Sequence, residues 1–196
     1  MKYGELTLGQ VEALVNKLGG MEGVQRFLSG ELIVSLPTKV WKTWNRINLG
    51  TGLKSSDFQK AIKSARMIVS DRANDILSKP NFQVAQSETE VELVVTSVSE
   101  LGFKDDARMK DIYNRAQELG LHLCPSEVGP QLRLKYGDQP KGEWFVIAMK
   151  PIADSNGGLC LFDIGSDGGE RSLNAVDGNP DSIWYGHNRF VFLRHK

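Results

Sequence analysis

The sequence predicts an α+β protein, with an N-terminal helical hairpin region followed by an antiparallel, curved β-sheet body that carries a packed helix. Three observations lead there. Apolar residues recur at helical spacing through the first 30 positions, alternating apolar and polar runs dominate after residue 121, and one more helical period lies between, over 107–119. Residues 1–50 read as the hairpin region with its linker, and 51–196 as the body, β-rich after residue 121.

The hairpin opens at Thr7, which forms a capping box with Gln10. Val11, Leu14, Val15 and Leu18 then repeat at helical spacing until Gly19-Gly20, which predicts a helix over 8–18. A second short helix carries Val24, Phe27 and Leu28 and ends at Ser29-Gly30. GELIVSLP reads as a short strand stopped by Pro37, and Trp41 and Trp44 would share a face on a helix. Ser56 with Gln59 can cap a helix bearing Phe58, Ala61, Ile62 and Ala65, and Ser70 another bearing Ala73, Ile76 and Leu77, which Pro80 stops.

From residue 81 the period changes. NFQVAQ and TEVELVVTSV read as strands, the latter alternating Val91, Leu93 and Val95 with polar neighbours. Met109, Ile112, Tyr113, Ala116 and Leu119 mark the inner face of the 107–119 helix, with Gly120 as its stop. LHLC, QLRLKY, EWFVIAMKPI, GLCLFDI, RSLNAV, SIWY and RFVFLR then read as strands, and DSNGG, SDGG and DGNPD supply turns between several of them.

Composition is that of a soluble globular chain. Lys+Arg 24 balances Asp+Glu 24, no apolar run is long enough for a membrane span, and the start MKYGELTLGQ lacks the apolar core of a signal peptide. These features place the protein in the cytoplasm, where Cys124 and Cys160 are expected as buried thiols and not as a disulfide. The neutral total conceals an asymmetry. Residues 1–80 carry 12 basic against 7 acidic side chains, leaving 12 against 17 beyond, and the densest basic run is Lys39 to Arg66.

Several phrases are distinctive: DRANDILSKPNF, ELGFKDDARMKDIY and above all ELGLHLCPSEVGPQLRLKYGDQPKGEW, with LTLGQVEALVNKLGGMEGVQRFLSGE in front and RFVF near the end. Together they resemble a family of small uncharacterised proteins scattered through bacterial genomes and mobile elements, phage among them. The resemblance spans nearly the whole chain and implies no activity, ligand or residue role beyond a setting compatible with phage or defence biology.

Catalytic chemistry finds little footing. His122 and Cys124 would point to one side of a strand, but the paired spacings of a zinc site are missing, so no metal is expected. Cys124 precedes Pro125 with no helix start beside it to lower its pKa, and GxSxG and GxxxxGK[ST] are absent. Glu127, Asp138 and Glu143 fall in expected turns, and the glycine clusters read as turns too. The chain is therefore expected to be non-enzymatic and to need no cofactor.

Binding has more support. If QLRLKY is a strand, Leu132, Leu134 and Tyr136 face the core, and Arg133 and Lys135 project together from the other side. With Trp144, Trp184, Tyr185 and Arg189 at strand ends or in loops nearby, these cations and rings would hold a small phosphate-bearing, nucleotide-like ligand. The expected function is sequestration of a nucleotide-derived signal of host defence by a phage-encoded binding protein. Two other partners have weaker sequence support. The apolar stripe Val11, Leu14, Val15, Leu18 and Phe27 would let the hairpin join a second copy or a partner protein. The basic run over 39–66, with Trp41 and Trp44, would suit single-stranded nucleic acid, although the overall charge balance makes nucleic acid the less favoured partner.

Overall fold

In a computed structural model of the chain, which describes residues 7–33 and 39–194, Thr7 caps the first helix as its sequence suggests. Gln10 donates its backbone N–H to Thr7 Oγ1 at 3.3 Å, while the Thr7 amide donates to Gln10 Oε1 at 2.8 Å, closing the box ahead of α1 (Leu8–Lys17). Gly19 and Gly20 take left-handed φ of 91° and 82° and start α2 (Gly20–Leu28). The two helices touch where α2 places Gly23. A Cβ there would lie 1.6 Å from the Leu18 carbonyl oxygen, so only glycine fits. These helices belong to one compact unit, residues 1–38, and residues 39–196 form a second. The strand expected in GELIVSLP lies largely outside the described residues, and Glu31–Leu32 form a bend.

The second unit follows in chain order as β1 (Asn45–Leu49), α3 (Ser55–Ser64), β2 (Ile68–Val69), α4 (Asp71–Leu77) and β3 (Thr89–Ser97). After a 3-10 turn at Ser99–Leu101 come β4 (Ala107–Arg108), α5 (Met109–Glu118), β5 (Leu121–His122) and α6 (Val128–Lys135). Then follow β6 (Trp144–Ile147), β7 (Ile152–Ala153), β8 (Leu159–Asp167), β9 (Glu170–Asp177), β10 (Ile183–Trp184) and β11 (Arg189–Arg194). The main sheet runs β1-β3-β11-β6-β8-β9-β2, with β5 on β11 and β7 on β8, while β10 and β4 form a separate ribbon. The α+β architecture stands, but the sheet is mixed: β11 pairs with β6, and β2 with β9, in parallel.

Register decides what each face of the sheet buries. Phe190 lies opposite Val146, and Val146 opposite Asp163, so these side chains share one face with Phe192 and Trp144. Tyr113 of α5 covers that face, edge-on to Phe190 at 6.5 Å and Phe192 at 6.2 Å. The other face presents Phe162, against which Phe82 packs edge-on at 6.0 Å with Phe58 of α3 behind it at 5.9 Å. α6 comes so close to this face that a Cβ on Gly129 would lie 2.8 Å from the Phe162 Cβ. Phe58, Phe145, Phe162, Phe190 and Phe192 are all fully buried. Each contributes about 1.5–3 kcal/mol from removal of its ring from water.

Three local expectations are corrected. QLRLKY is not a strand: Gln131 to Lys135 form the last turns of α6, with Pro130 in the first turn, where a missing N–H costs nothing. NFQVAQ is not paired in a sheet. Phe82 N–H donates to the Lys79 carbonyl at 3.0 Å, and side chains take two further amides, Gln83 N–H donating to Ser126 Oγ at 3.1 Å and Ala85 N–H to Glu127 Oε2 at 2.8 Å. Ser56 is not the cap of α3, because the helix starts at Ser55 with Lys54 in the cap position, and Asp57 receives the Lys54 N–H at 3.0 Å.

Candidate functional site

The six residues expected to converge on a ligand do not form one site; of them, Trp144 and Trp184 meet each other. Arg133 is 0 % exposed. Its guanidinium donates to Gln139 Oε1, to the Gly165 carbonyl at 3.3 Å and to the Tyr136 carbonyl, tying the end of α6 to β8. Desolvation, with Arg171 nearby, lowers its pKa to about 10. Lys135, two residues on and about 200° around a helix, is exposed, so the two cations do not share a face.

Trp144 and Trp184 do meet, stacked at 6.1 Å and 22°. Trp144 spends its indole N–H on Asp163 Oδ2 at 2.5 Å, and Trp184 is buried against Phe190. Tyr185 is exposed and stacks on His187 at 5.8 Å, while Arg189 lies over Phe145 at 4.4 Å and 3.5 Å from Glu143.

Of these residues, Lys135 lines a cleft. The space of about 490 Å³ lies between β1 and α6 and is walled by Arg46, Asn48, Thr51, Glu90, Gln131 and Lys135 over the apolar Ile47 and Leu134. One buried carboxylate builds it. Glu127, just ahead of α6, accepts the backbone N–H of Gly50 at 2.8 Å and of Ala85 at 2.8 Å, so it fastens the loop after β1 and the extended 83–86 segment to the helix. Gln131, one turn on, donates to Glu127 Oε1 at 3.0 Å and to Thr51 Oγ1 at 2.7 Å. A threonine hydroxyl that accepts this bond still has its own proton to give.

The charges around the cleft are unevenly matched. Arg46 donates to Glu92 Oε1 at 2.6 Å and comes within 3.9 Å of Glu90. Glu92 also receives Thr43 Oγ1 at 2.8 Å and Arg194 Nη1 at 3.0 Å, and hydrogen bonds from Arg46 first and Thr43 next hold its carboxyl at about 2. Lys135 forms no ion pair with any described carboxylate. The cleft therefore offers one uncommitted ammonium, one hydroxyl donor and a guanidinium anchored at its edge. That donor set suits an oxyanion. Sequence reasoning placed Lys135 in a binding role and Arg46 in the basic run over 39–66, but missed Thr51 and Gln131, whose approach depends on the Glu127 clamp.

The rest of the chain offers less chemistry. Both cysteines are unpaired and buried, and burial raises both thiols. Asp163 is 1 % exposed, and desolvation pushes its carboxyl up to about 6 against the hydrogen bonds from Trp144 and Asn174, inside the core where no substrate reaches it. Among the described residues no three His, Cys, Asp or Glu side chains gather as a metal site would require. In the basic run, Trp41 gives its N–H to the Leu119 carbonyl at 2.9 Å, and Trp44 packs edge-on to Tyr136 and Phe145, each at 5.1 Å, so both rings are engaged by the protein itself. No helix among the described residues is long and apolar enough to cross a membrane.

Comparison with protein-family models, with curated proteins and with solved structures finds no match to this chain.

Proposed function

We propose that the second unit is a non-catalytic binding module of the cytoplasm that takes an oxyanion-bearing ligand in the cleft between β1 and α6. The observation that supports it is Lys135, an ammonium without a carboxylate partner among the described residues, at a pre-built polar cleft that also presents Thr51 and Arg46. The anion is a phosphate or a carboxylate. Phosphate is the group carried by a nucleotide-derived signal, and a phage protein sequestering such a signal remains the biological form of this reading. Glu90, on the same wall, would accept from ribose-type hydroxyls, as acidic side chains do in dinucleotide sites. No aromatic ring among the described residues lines the cleft, so recognition rests on the anion and not on base stacking.

Calorimetric titration with adenosine monophosphate and with adenosine tests this reading. Binding of the phosphate-bearing compound alone, weakened at least fivefold by Lys135→Met, is the expected result. Equal binding of both, or an unchanged affinity in the variant, would refute it.

A second reading is association of two copies through α1 and α2. It is favoured by the side chains this hairpin leaves exposed: Leu8, Val11, Leu14, Met21, Phe27 and Leu28. A unit of 38 residues lies below the size at which a single core usually suffices, and oligomerisation is one remedy. Light scattering is expected to give twice the 21.8 kDa chain mass, reverting to one chain in the double variant Leu14→Glu, Phe27→Glu. A single-chain mass for the unsubstituted protein at every concentration would exclude it.

A further inference from the structure

The two edges of the main sheet are treated differently. At the far end, β2 pairs with Ser172 and Leu173 of β9, Ser70 N–H donates to the Leu173 carbonyl at 3.0 Å, and α4 packs alongside. At the near end, β1 pairs only with β3 among the described residues, over Asn45 to Leu49. Natural edge strands are usually blunted by proline, bulges, charges or a covering element, because a row of unpaired N–H and C=O groups invites another strand. NRINL contains neither proline nor glycine and its one charge, Arg46, is spent on Glu92; the Arg46 N–H is already taken by Asn45 Oδ1 at 2.8 Å, so an added strand would meet the remaining edge groups.

The cleft lies along this edge, which no other described strand covers. Residues 46–48 form one wall and Gln131 to Lys135 of α6 the other, so the space is a groove between an edge strand and a helix. Proteins that recognise extended peptides use that arrangement: the peptide adds to the sheet as a strand, main-chain hydrogen bonds supply affinity, and alternate side chains enter the groove. We propose that the oxyanion taken here is the carboxylate of an extended peptide segment from another protein, added to β1 as an extra strand. The inference rests on the reading of the cleft as an oxyanion site and names its occupant.

The chemistry of that segment follows from the walls. β1 has five residues, about 17 Å of strand, enough to pair with four or five residues of peptide. Leu134, half-buried above the core residue Ile47, takes an apolar side chain on the side facing the floor. Lys135 Nζ and the Thr51 hydroxyl receive the carboxylate. Glu90 stands on the strand side and disfavours a second acidic group there, so the partner is a segment with one well-placed acid among apolar or β-branched residues, not a polyacidic tail.

The test is amide hydrogen exchange and two-dimensional NMR of the full chain, with two probes in parallel. One is a pool of terminally blocked hexapeptides, each carrying a single glutamate among valine, isoleucine and threonine. The other is adenosine monophosphate. The expected result is that the peptide pool slows exchange of β1 amides at least tenfold and shifts Thr51 and Lys135, with Lys135→Met weakening binding at least fivefold. If the nucleotide shifts Thr51 and Lys135 while peptides at millimolar concentration leave β1 exchange unchanged, the peptide inference is overturned and the oxyanion site survives. If neither probe shifts the cleft, both are overturned.

Discussion

The carboxylate of Glu127 receives the backbone N–H of Gly50 at 2.8 Å across 77 positions of sequence. Its second oxygen receives Ala85 N–H, and Gln131 completes the set, so one fully buried acid holds three segments in place. Replacing Glu127 with Ala leaves two amides without their acceptor, each costing about 1–3 kcal/mol. A loss of about 2–5 kcal/mol in denaturant unfolding is expected, together with weaker ligand binding because Thr51 and Gln131 lose their alignment. Glu127→Gln keeps one acceptor and should fall between the two.

Arg133 separates a structural role from a binding one. Its guanidinium serves three acceptors inside the body, so Arg133→Met should cost about 3 kcal/mol in stability, the scale for unsatisfied buried groups. Oxyanion affinity measured below the unfolding transition should stay within twofold of the unsubstituted protein. Lys135→Met should do the reverse, leaving the unfolding midpoint unchanged and removing affinity.

Glu92 sets how much positive charge the cleft can offer. Glu92→Gln removes the acid that occupies Arg46 and Arg194 and should tighten oxyanion binding several-fold, with a steeper dependence on salt. The same substitution has a signature in pH. The carboxyl of Glu92 is held from 4.5 down to about 2, so its contribution is present above 4.5 and lost as pH falls through about 2. Acid unfolding curves of the variant should lack that component.

Asp163 behaves in the opposite sense. Its carboxyl is raised from 3.8 to about 6 by burial, so it stabilises the fold below 3.8 and that stability is lost as pH rises through about 6. Asp163→Asn, which keeps an acceptor for the Trp144 N–H, should therefore be more stable than the unsubstituted protein at pH 7.5, by an order of about 3 kcal/mol. The advantage should shrink to nothing by pH 4. Denaturant midpoints of both proteins across pH 4 to 8 measure the difference.

Much of the architecture was legible because local chemistry and fold agree there. Thr7 with Gln10, the Gly19-Gly20 break, Ser70 ahead of α4, and the alternation in Thr89–Ser97 each mark an element that forms where its residues imply. α6 was misread for a physical reason. Six of its eight residues are buried, so it shows no polar face and no helical period, while Leu132 and Leu134 happen to alternate with Arg133 and Lys135. Pro130 close behind Glu127 was the overlooked helix-start signal.

NFQVAQ looked like a strand because Phe82 and Val84 sit two apart. Phe82 is a core anchor, and two of the segment's amides go to Ser126 and Glu127 instead of a ladder. The cleft was only partly legible, since Thr51, Arg46 and Lys135 are brought near one another by a long-range clamp that no local pattern reveals.

The claim that the β1–α6 cleft is an oxyanion site is tested most directly by an NMR titration of the full chain with inorganic pyrophosphate, in the unsubstituted protein and in Lys135→Met. Saturable shifts confined to Thr51, Gln131, Lys135 and residues 46–48, absent from the variant, are the predicted result. Shifts that are scattered over the surface, or identical in the two proteins, would contradict it.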